Sequence, residues 1–255
     1  MTATEALAWL KKNGTKRTVD GMARYGITAP HAFGVTMGAM LGLSKRVGTD
    51  HALARNLWKS GWYEARMLAT MVADPARLTR AQMNAWTASF DNWGICDTAC
   101  FKLYDRSPHA WSCAAAWAKS PKEFVKRAGF ALMACLALHD KAAPDAKFLP
   151  YLPLIEKGAL DERNFVMKGV SWALRSIGRR SPGLHAASQK VAERLAARAE
   201  AAARWVGKDA LRELSSPKVR AAVARRAESA GSAKARASAG GSAGSSGRRV
   251  PSSSR

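Results

Sequence analysis

The chain has 255 residues, of which 47% are hydrophobic and 24% charged, a composition typical of a globular protein and not of a disordered or fibrous one. Its formal net charge is +22, which predicts attraction to polyanions such as nucleic acid or an anionic membrane. Residues 216–255 contribute nine Lys or Arg and one Glu, a net +8, which leaves +14 for residues 1–215. The body of the chain is therefore basic as well as its end.

Several classes of protein are disfavoured by short-range features. The longest apolar stretch, residues 32–43, is too short to span a bilayer. The first residues are of mixed polarity and do not follow the pattern of a signal peptide, so we expect a cytoplasmic, nucleoid-associated protein. Four cysteines lie in Ala-rich apolar surroundings without a second Cys/His pair at zinc spacing, which predicts reduced buried thiols and no metal or other cofactor: Cys96, Cys100, Cys113 and Cys135.

Taken in chain order, the sequence predicts helices almost throughout and no strands. Apolar residues recur at helical spacing, and Pro, Gly and Asp mark the boundaries. The predicted helices are 4–12, 18–25, 35–47, 50–60, 63–73, 79–89, 93–104, 108–119, 121–139, 147–157, 162–179, 184–205, 208–214 and 217–227.

Short turns between most of these helices favour antiparallel hairpins, and a run of hairpins without a sheet is the layout of a HEAT-like α-solenoid. An irregular helical bundle is the alternative. We predict a helical repeat domain over residues 1–228. Residues 229–255 are rich in Ser, Gly, Ala and Arg and predict a disordered basic tail.

The helix predicted at 162–179 carries two different faces. Its apolar residues form an ordinary core stripe, whereas one aromatic and three cations lie on the opposite side: Lys168, Trp172, Arg175 and Arg179. Cations beside a flat aromatic suit the phosphates and sugars of a DNA backbone. Trp172 packing beneath the next repeat is the alternative.

A second pair of residues is Trp93 and Asp97, which project from one side of a helix near its start. Asp97 as a first-turn acid favoured by the helix dipole, and Trp93 as a residue packed where the helix begins, are the structural alternatives. In the segment 57–66, we interpret Glu64 and Arg66 as structural ion-pair partners.

The order of several segments resembles the AlkD-like family of DNA alkylation repair proteins. The segments are FGV at 33–35, LWKS at 57–60, YEAR at 63–66 with LA at 68–69, Trp93 with Asp97, FVKR at 124–127 and FVMKGVSW at 165–172. The resemblance runs in order across most of residues 33–180. It implies a curved stack of HEAT-like helix pairs whose concave face holds duplex DNA.

The resemblance also implies an activity. Relatives with glycosylase activity release cationic N3- and N7-alkylpurines from DNA without flipping the lesion into a pocket. Their catalytic aspartate and its preceding tryptophan match Asp97 and Trp93, their second tryptophan matches Trp172, and a DNA-contacting arginine matches Arg127. Gly94 departs from the family, in which an acidic or bulky residue often follows the first tryptophan.

The chemistry implied is coherent, because a cationic base leaves without a general acid. An ionised Asp97 would stabilise the oxocarbenium ion of the sugar and admit a water, and two Trp faces would hold the deoxyribose. The expected partner is double-stranded DNA containing alkylated bases, bound by a monomer. A DNA-binding protein without glycosylase activity and a HEAT-like protein–protein scaffold are the alternatives.

Overall fold

The computed structural model describes residues 1–228, which contain fourteen α-helices and no strand. The helices are α1 Ala3–Asn13, α2 Lys16–Met22, α3 Met37–Val47, α4 His51–Lys59, α5 Tyr63–Val72, α6 Arg80–Ala88, α7 Trp93–Lys102, α8 Ala110–Trp117, α9 Glu123–His139, α10 Tyr151–Gly158, α11 Asn164–Gly178, α12 Pro182–Ala196, α13 Ala201–Leu214 and α14 217–228. The tail predicted at 229–255 lies outside the described residues, so the domain boundary at 228 stays a prediction.

Side-chain caps begin many of these helices, because the first backbone N–H groups of a helix need acceptors. Thr2 and Glu5 form a capping box at the start of α1. The Asp50 side chain accepts from the N–H of Leu53 at the start of α4, and Asn92 does the same for Ile95 at the start of α7. Since these caps are local, most helix starts agree with the predictions to within two or three residues.

The helices stack in two rows. Helices α3, α5, α7, α9, α11 and α13 pack side by side in chain order and form an inner row. Helices α4, α8, α10 and α12 each pack against a member of that row and form an outer layer. This arrangement confirms the predicted all-α, HEAT-like α-solenoid and excludes the irregular bundle.

The core runs along the whole stack. The centre of the stack is α9, of which every residue from Arg127 to Ala137 is buried. Gly129 lets α9 touch the end of α8, because a Cβ at this position would lie 2.3 Å from the backbone nitrogen of Ala118. Side chains at the start of α9 are thereby held in defined positions.

The predicted helices 184–205 and 208–214 are wrong, because the chain turns at residues 197–200 between α12 and α13. No Gly or Pro marks this turn. Gly207 brings α13 against α12, since a Cβ there would lie 2.3 Å from the nitrogen of Ala196. The turn is further stabilised by an ion pair of 2.8 Å between Arg198 and Glu200. Packing between two helices decides this boundary.

The four cysteines are buried and free. Within residues 1–228, no group of three or more His, Cys, Asp or Glu side chains is placed to hold a metal ion. None of the helices in that part of the chain combines the length and the apolar character needed to cross a membrane.

Candidate functional site

A cleft of about 560 Å³ opens where the first turns of α7, α9 and α11 meet the loop after α2. We call it the N-terminal cleft. Its lining includes three cations and one acid: Arg24, Tyr25, Gly26, Trp93, Asp97, Arg127, Asn164, Phe165 and Lys168. The N-termini of three helices converge here, and each carries a partial positive charge. The cleft therefore suits an anionic ligand.

Asp97 and Arg127 form a two-pronged ion pair inside this cleft. The Arg127 Nε donates to Asp97 Oδ1 over 2.9 Å, and its Nη2 donates to Asp97 Oδ2 over 2.7 Å. The third nitrogen, Nη1, donates to the carbonyl of Phe165 over 2.6 Å. The Arg127 side chain is 7% exposed and that of Asp97 is 21% exposed. Arg127 thus fixes the carboxylate while leaving one side of it open to the cleft.

The electrostatics of the pair are set by burial and by its two charges. Burial raises the pKa of Asp97 above its ordinary value, and the charge and hydrogen bonds of Arg127 act in the opposite direction. Burial by itself would lower the pKa of Arg127, but Asp97 raises it above its ordinary value. A guanidinium that donates to both oxygens favours the ionised carboxylate, so the negative charge of Asp97 depends on Arg127.

Trp93 is held at the rim of the cleft. Its indole Nε1 donates to the carbonyl of Tyr25 over 2.7 Å, a contact that spans 68 residues of sequence. The ring is half-buried, on the same helical side as Asp97 and one turn before it. The loop after α2 therefore orients the aromatic beside the carboxylate.

Packing explains why glycine occupies position 94, where the related proteins often have an acidic or bulky residue. A Cβ at this buried position would lie 2.7 Å from the Tyr63 hydroxyl and 3.1 Å from Asn92 Oδ1. Burial, followed by the charges of Glu64 and Asp91, raises the pKa of Tyr63 to about 12, so the hydroxyl remains protonated. Glycine is needed at 94 because the Tyr63 hydroxyl occupies the space that a side chain would take.

Glu64 and Arg66 both make structural contacts, but the interpretation as ion-pair partners holds for Arg66 and is wrong for Glu64, which binds backbone N–H groups instead. The buried carboxylate of Glu64 accepts from the backbone N–H groups of residues 33–35, over 2.8, 2.7 and 3.3 Å. Arg66 donates to the Ser89 carbonyl over 2.6 Å and to Asp91 over 3.3 Å. It also lies over the Trp58 ring at 4.9 Å. These contacts hold residues 33–35 and the segment 89–91, which leads into α7, against α5.

The structure places the residues predicted on α11 in two environments. Lys168 lines the N-terminal cleft, is exposed and forms no hydrogen bond or ion pair with any side chain in residues 1–228. Trp172 lies one turn farther along, outside the cleft lining described for these residues. It is half-buried, with part of its side chain packed against the core.

Arg175 and Arg179 face α13 and are paired with its acids. Arg175 contacts Glu213 and lies 3.6 Å from Asp209. Arg179 contacts Glu213 over 2.8 Å. The charges of these two members of the predicted DNA-contacting face are therefore partly neutralised, because α13 stacks beside α11 and brings acids to them. Lys168 lies before the start of this contact and keeps its charge unbalanced.

The predicted site residues do not include five residues of the cleft lining: Arg24, Tyr25, Gly26, Asn164 and Phe165. Arg24 and Tyr25 lie in a short 3₁₀ segment after α2, and Phe165 contributes mainly its backbone carbonyl to Arg127. An Arg-Tyr-Gly run in a turn was the available signal. Nothing local to it indicates that the turn reaches α7.

Comparisons with known proteins agree with the fold. A family model described as "DNA alkylation repair enzyme" matches residues 6–214. No curated protein is similar enough to this chain to count as a match. Among solved structures, the chain is similar to a member of a new family of proteins related to the HEAT-like repeat DNA glycosylases with affinity for branched DNA structures. That structure has a TM-score of 0.69 and 21% identity, and the match covers 84% of this chain and 96% of that one.

A designed armadillo repeat protein in complex with the peptide (KR)4 is also similar, with a TM-score of 0.38 and 14% identity over 69% of this chain and 92% of that one. The likeness to the first of these structures shows the fold alone. The family match covers most of the chain and confirms the resemblance found in the sequence. The chain belongs to the DNA alkylation repair enzyme family.

Proposed function

We propose that this protein is a DNA glycosylase that hydrolyses the N-glycosidic bond of cationic N3- and N7-alkylpurines in duplex DNA. The observation that carries the proposal is the carboxylate of Asp97, which accepts hydrogen bonds from Nε and Nη2 of Arg127 inside a basic cleft. Trp93 lies beside it on the same helical side. A carboxylate is an unusual group to hold in a DNA-binding cleft unless it acts on a developing positive charge.

The reaction needs little from the protein besides that charge. An alkylated purine is already cationic, so the C1′–N bond breaks with the electron pair leaving on the base. The sugar becomes an oxocarbenium ion, and a water then adds to C1′, loses a proton and leaves an abasic site. Asp97 would stabilise the cation and accept a hydrogen bond from the water, while Trp93 and Trp172 would contact the deoxyribose.

Both members of the Asp97–Arg127 ion pair determine how strongly the site stabilises the positive charge of the oxocarbenium ion. A carboxylate about 4 Å from a unit positive charge attracts it by roughly 4 kcal/mol at an effective dielectric of about 20. If the Arg127 charge is placed about 8 Å from the same point, it offsets about 2 kcal/mol of this at the same dielectric. The remaining ~2 kcal/mol corresponds to a rate factor of about 30.

DNA binding would begin at the cations of the N-terminal cleft. Lys168 has no acidic partner in the described residues and would contact phosphate directly. Arg175 and Arg179 share their charge with Glu213, so they would contribute less than Lys168 unless the DNA displaces that acid. Arg127 is engaged with Asp97 and would act on the DNA mainly through that carboxylate.

A second candidate is binding of damaged or branched DNA without catalysis. Both oxygens of Asp97 are engaged by Arg127, which reduces the charge that the pair presents. The similar solved structure belongs to a family with affinity for branched DNA structures. In this case the cleft would bind DNA equally well with a neutral residue at position 97.

The test measures release of 7-methylguanine and 3-methyladenine from methylated duplex DNA under single-turnover conditions. We expect release by the wild type, and a loss of about a thousandfold in Asp97→Asn, because the whole ~4 kcal/mol attraction is removed while the Arg127 charge remains. Asp74→Asn is the matched control, because the same chemical change there keeps a helix cap and lies outside the cleft.

Circular dichroism would verify that Asp97→Asn is folded at the assay temperature. Wild-type release that does not exceed the uncatalysed rate would contradict the glycosylase. Undiminished affinity of Asp97→Asn for branched DNA would then support the second candidate.

A further inference from the structure

A second basic cleft lies at the other end of the same helices. It has a volume of about 650 Å³ and is bounded by the last turns of α9 and α11, the segment 141–145 and α14. We call it the C-terminal cleft. Its charged lining consists of five cations and one acid: Lys141, Arg179, Arg180, Lys218, Arg226 and Asp145. None of the five belongs to the catalytic group proposed above.

Two of these cations hold the cleft together. Arg180 donates to the carbonyls of Ala137 and Lys141 over 3.2 and 3.3 Å and also to that of Ala143. Its guanidinium lies 4.3 Å from the centre of the Phe148 ring. Arg226 of α14 donates to the carbonyl of Arg179 and joins α14 to the end of α11. These contacts satisfy carbonyl groups and leave both positive charges in place.

The acids nearby are already engaged. Asp145 accepts a hydrogen bond from the hydroxyl of Ser181. Ser181 is the residue that caps the start of α12. Glu213 pairs with Arg179 and Arg175 from the side of α13. Neither acid forms an ion pair with Lys141 or Lys218 in the described residues.

Lys141 and Lys218 are both exposed, and their ammonium groups make no hydrogen bond or ion pair within residues 1–228. Burial, followed by the charges of Arg226 and Arg180, lowers the pKa of Lys141 below its ordinary value. The fold thus places Lys141 and Lys218 among like charges in a concave site, where neither has an acidic partner in the described residues. Such a site gains from an anion that comes from outside the chain.

The position of the C-terminal cleft indicates which anion fits. Lys168 in the N-terminal cleft and Arg179 in the C-terminal cleft are eleven residues apart on α11, or about 16 Å along the helix axis. One DNA strand carries a phosphate about every 3.4 Å along the duplex axis, so this distance spans about five phosphates. A single duplex is long enough to reach both clefts.

We propose that the C-terminal cleft binds backbone phosphates of the DNA that occupies the N-terminal cleft, with Lys141 and Lys218 as the direct phosphate contacts. The choice of DNA as ligand rests on the proposed function, whereas the site itself does not. Arg180 and Arg226 position the cleft. The contact is independent of sequence and of damage, because it involves phosphates alone.

The experiment compares two double variants on an undamaged 20-base-pair duplex by fluorescence anisotropy over a series of salt concentrations. Each phosphate contact contributes about 0.9 to the slope of log K against log salt. We expect Lys141→Gln/Lys218→Gln to reduce the slope by about 2 and to weaken binding by roughly 60-fold at 0.1 M salt. Thermal unfolding should not move to lower temperature, because neither side chain has a partner to lose and the loss of Lys141 removes repulsion from Arg180 and Arg226.

Lys157→Gln/Lys190→Gln is the matched control. It removes the same charge from α10 and α12 in the outer layer, at exposed positions of the same part of the stack. The control should keep the wild-type slope. An equal slope in all three proteins, or an equal reduction in both double variants, overturns the site.

Failure of the catalytic proposal would not affect this result, since binding of undamaged DNA involves no bond cleavage. Conversely, if glycosylase activity is present, base release by Lys141→Gln/Lys218→Gln at saturating DNA should equal that of the wild type.

Discussion

Replacing Arg127 with methionine keeps most of the side-chain length and removes the cation that holds Asp97. The change deletes hydrogen bonds of 2.9 and 2.7 Å to the carboxylate and one of 2.6 Å to the Phe165 carbonyl. Breaking a buried ion pair by removing one partner costs about 3–5 kcal/mol. Because Asp97 is 21% exposed, we expect a loss near the lower end, about 3 kcal/mol. For a protein of this size, that lowers Tm by roughly 6–12 °C.

The same variant should change how base release depends on pH. The proposed reaction needs ionised Asp97, so the rate falls as pH drops through the pKa of that carboxyl group. Burial raises this pKa and Arg127 opposes the rise. Without Arg127 the pKa is higher, and we expect the rate to fall at a higher pH than in the wild type.

The assay measures single-turnover release of 7-methylguanine from methylated duplex between pH 5 and 9, with the uncatalysed rate subtracted. Lys126→Met is the matched control, because the neighbouring Lys126 pairs with Asp161 over 2.8 Å and not with Asp97. It should keep the wild-type pH profile. A rate that is lower in Arg127→Met by the same factor at every pH would refute the electrostatic role and leave Arg127 a structural residue.

Two further predictions concern stability. Gly94→Ala places a Cβ 2.7 Å from the Tyr63 hydroxyl and should destabilise the protein by about 1–3 kcal/mol. The control Gly42→Ala has open space around it on α3 and should stabilise the protein by up to about 1 kcal/mol. Thermal unfolding measures both variants, and equal shifts in Tm would contradict the packing argument. Asp161 accepts side-chain and backbone hydrogen bonds from Arg163, which with Lys126 hold its pKa below the ordinary 3.8. Its stabilisation is therefore present above pH 3.8 and is lost as pH falls, so Asp161→Asn should cost about 2 kcal/mol at pH 7 and progressively less below pH 4. A constant difference in Tm from pH 7 to pH 3 would count against this.

Local patterns determined much of this protein. Apolar spacing predicted the helices, and local caps such as Asp50 and Asn92 are found where two of them start. The spacing of Trp93 and Asp97 placed them on one side of α7, and the excess of Lys and Arg indicated a polyanionic partner. These features depend on residues within a few turns of one another, which is why the sequence alone shows them.

Tertiary structure decided what those residues do to one another. Asp97 meets Arg127 from 30 positions away, and Trp93 meets the Tyr25 carbonyl from 68 positions away. Arg175, predicted as a DNA-contacting cation, lies beside Glu213 because α13 stacks on α11. Helical periodicity specifies which side of a helix a residue lies on, but not which helix comes to lie there. Partners across the stack, and therefore the charge left for a ligand, depend on packing between helices that no local pattern encodes.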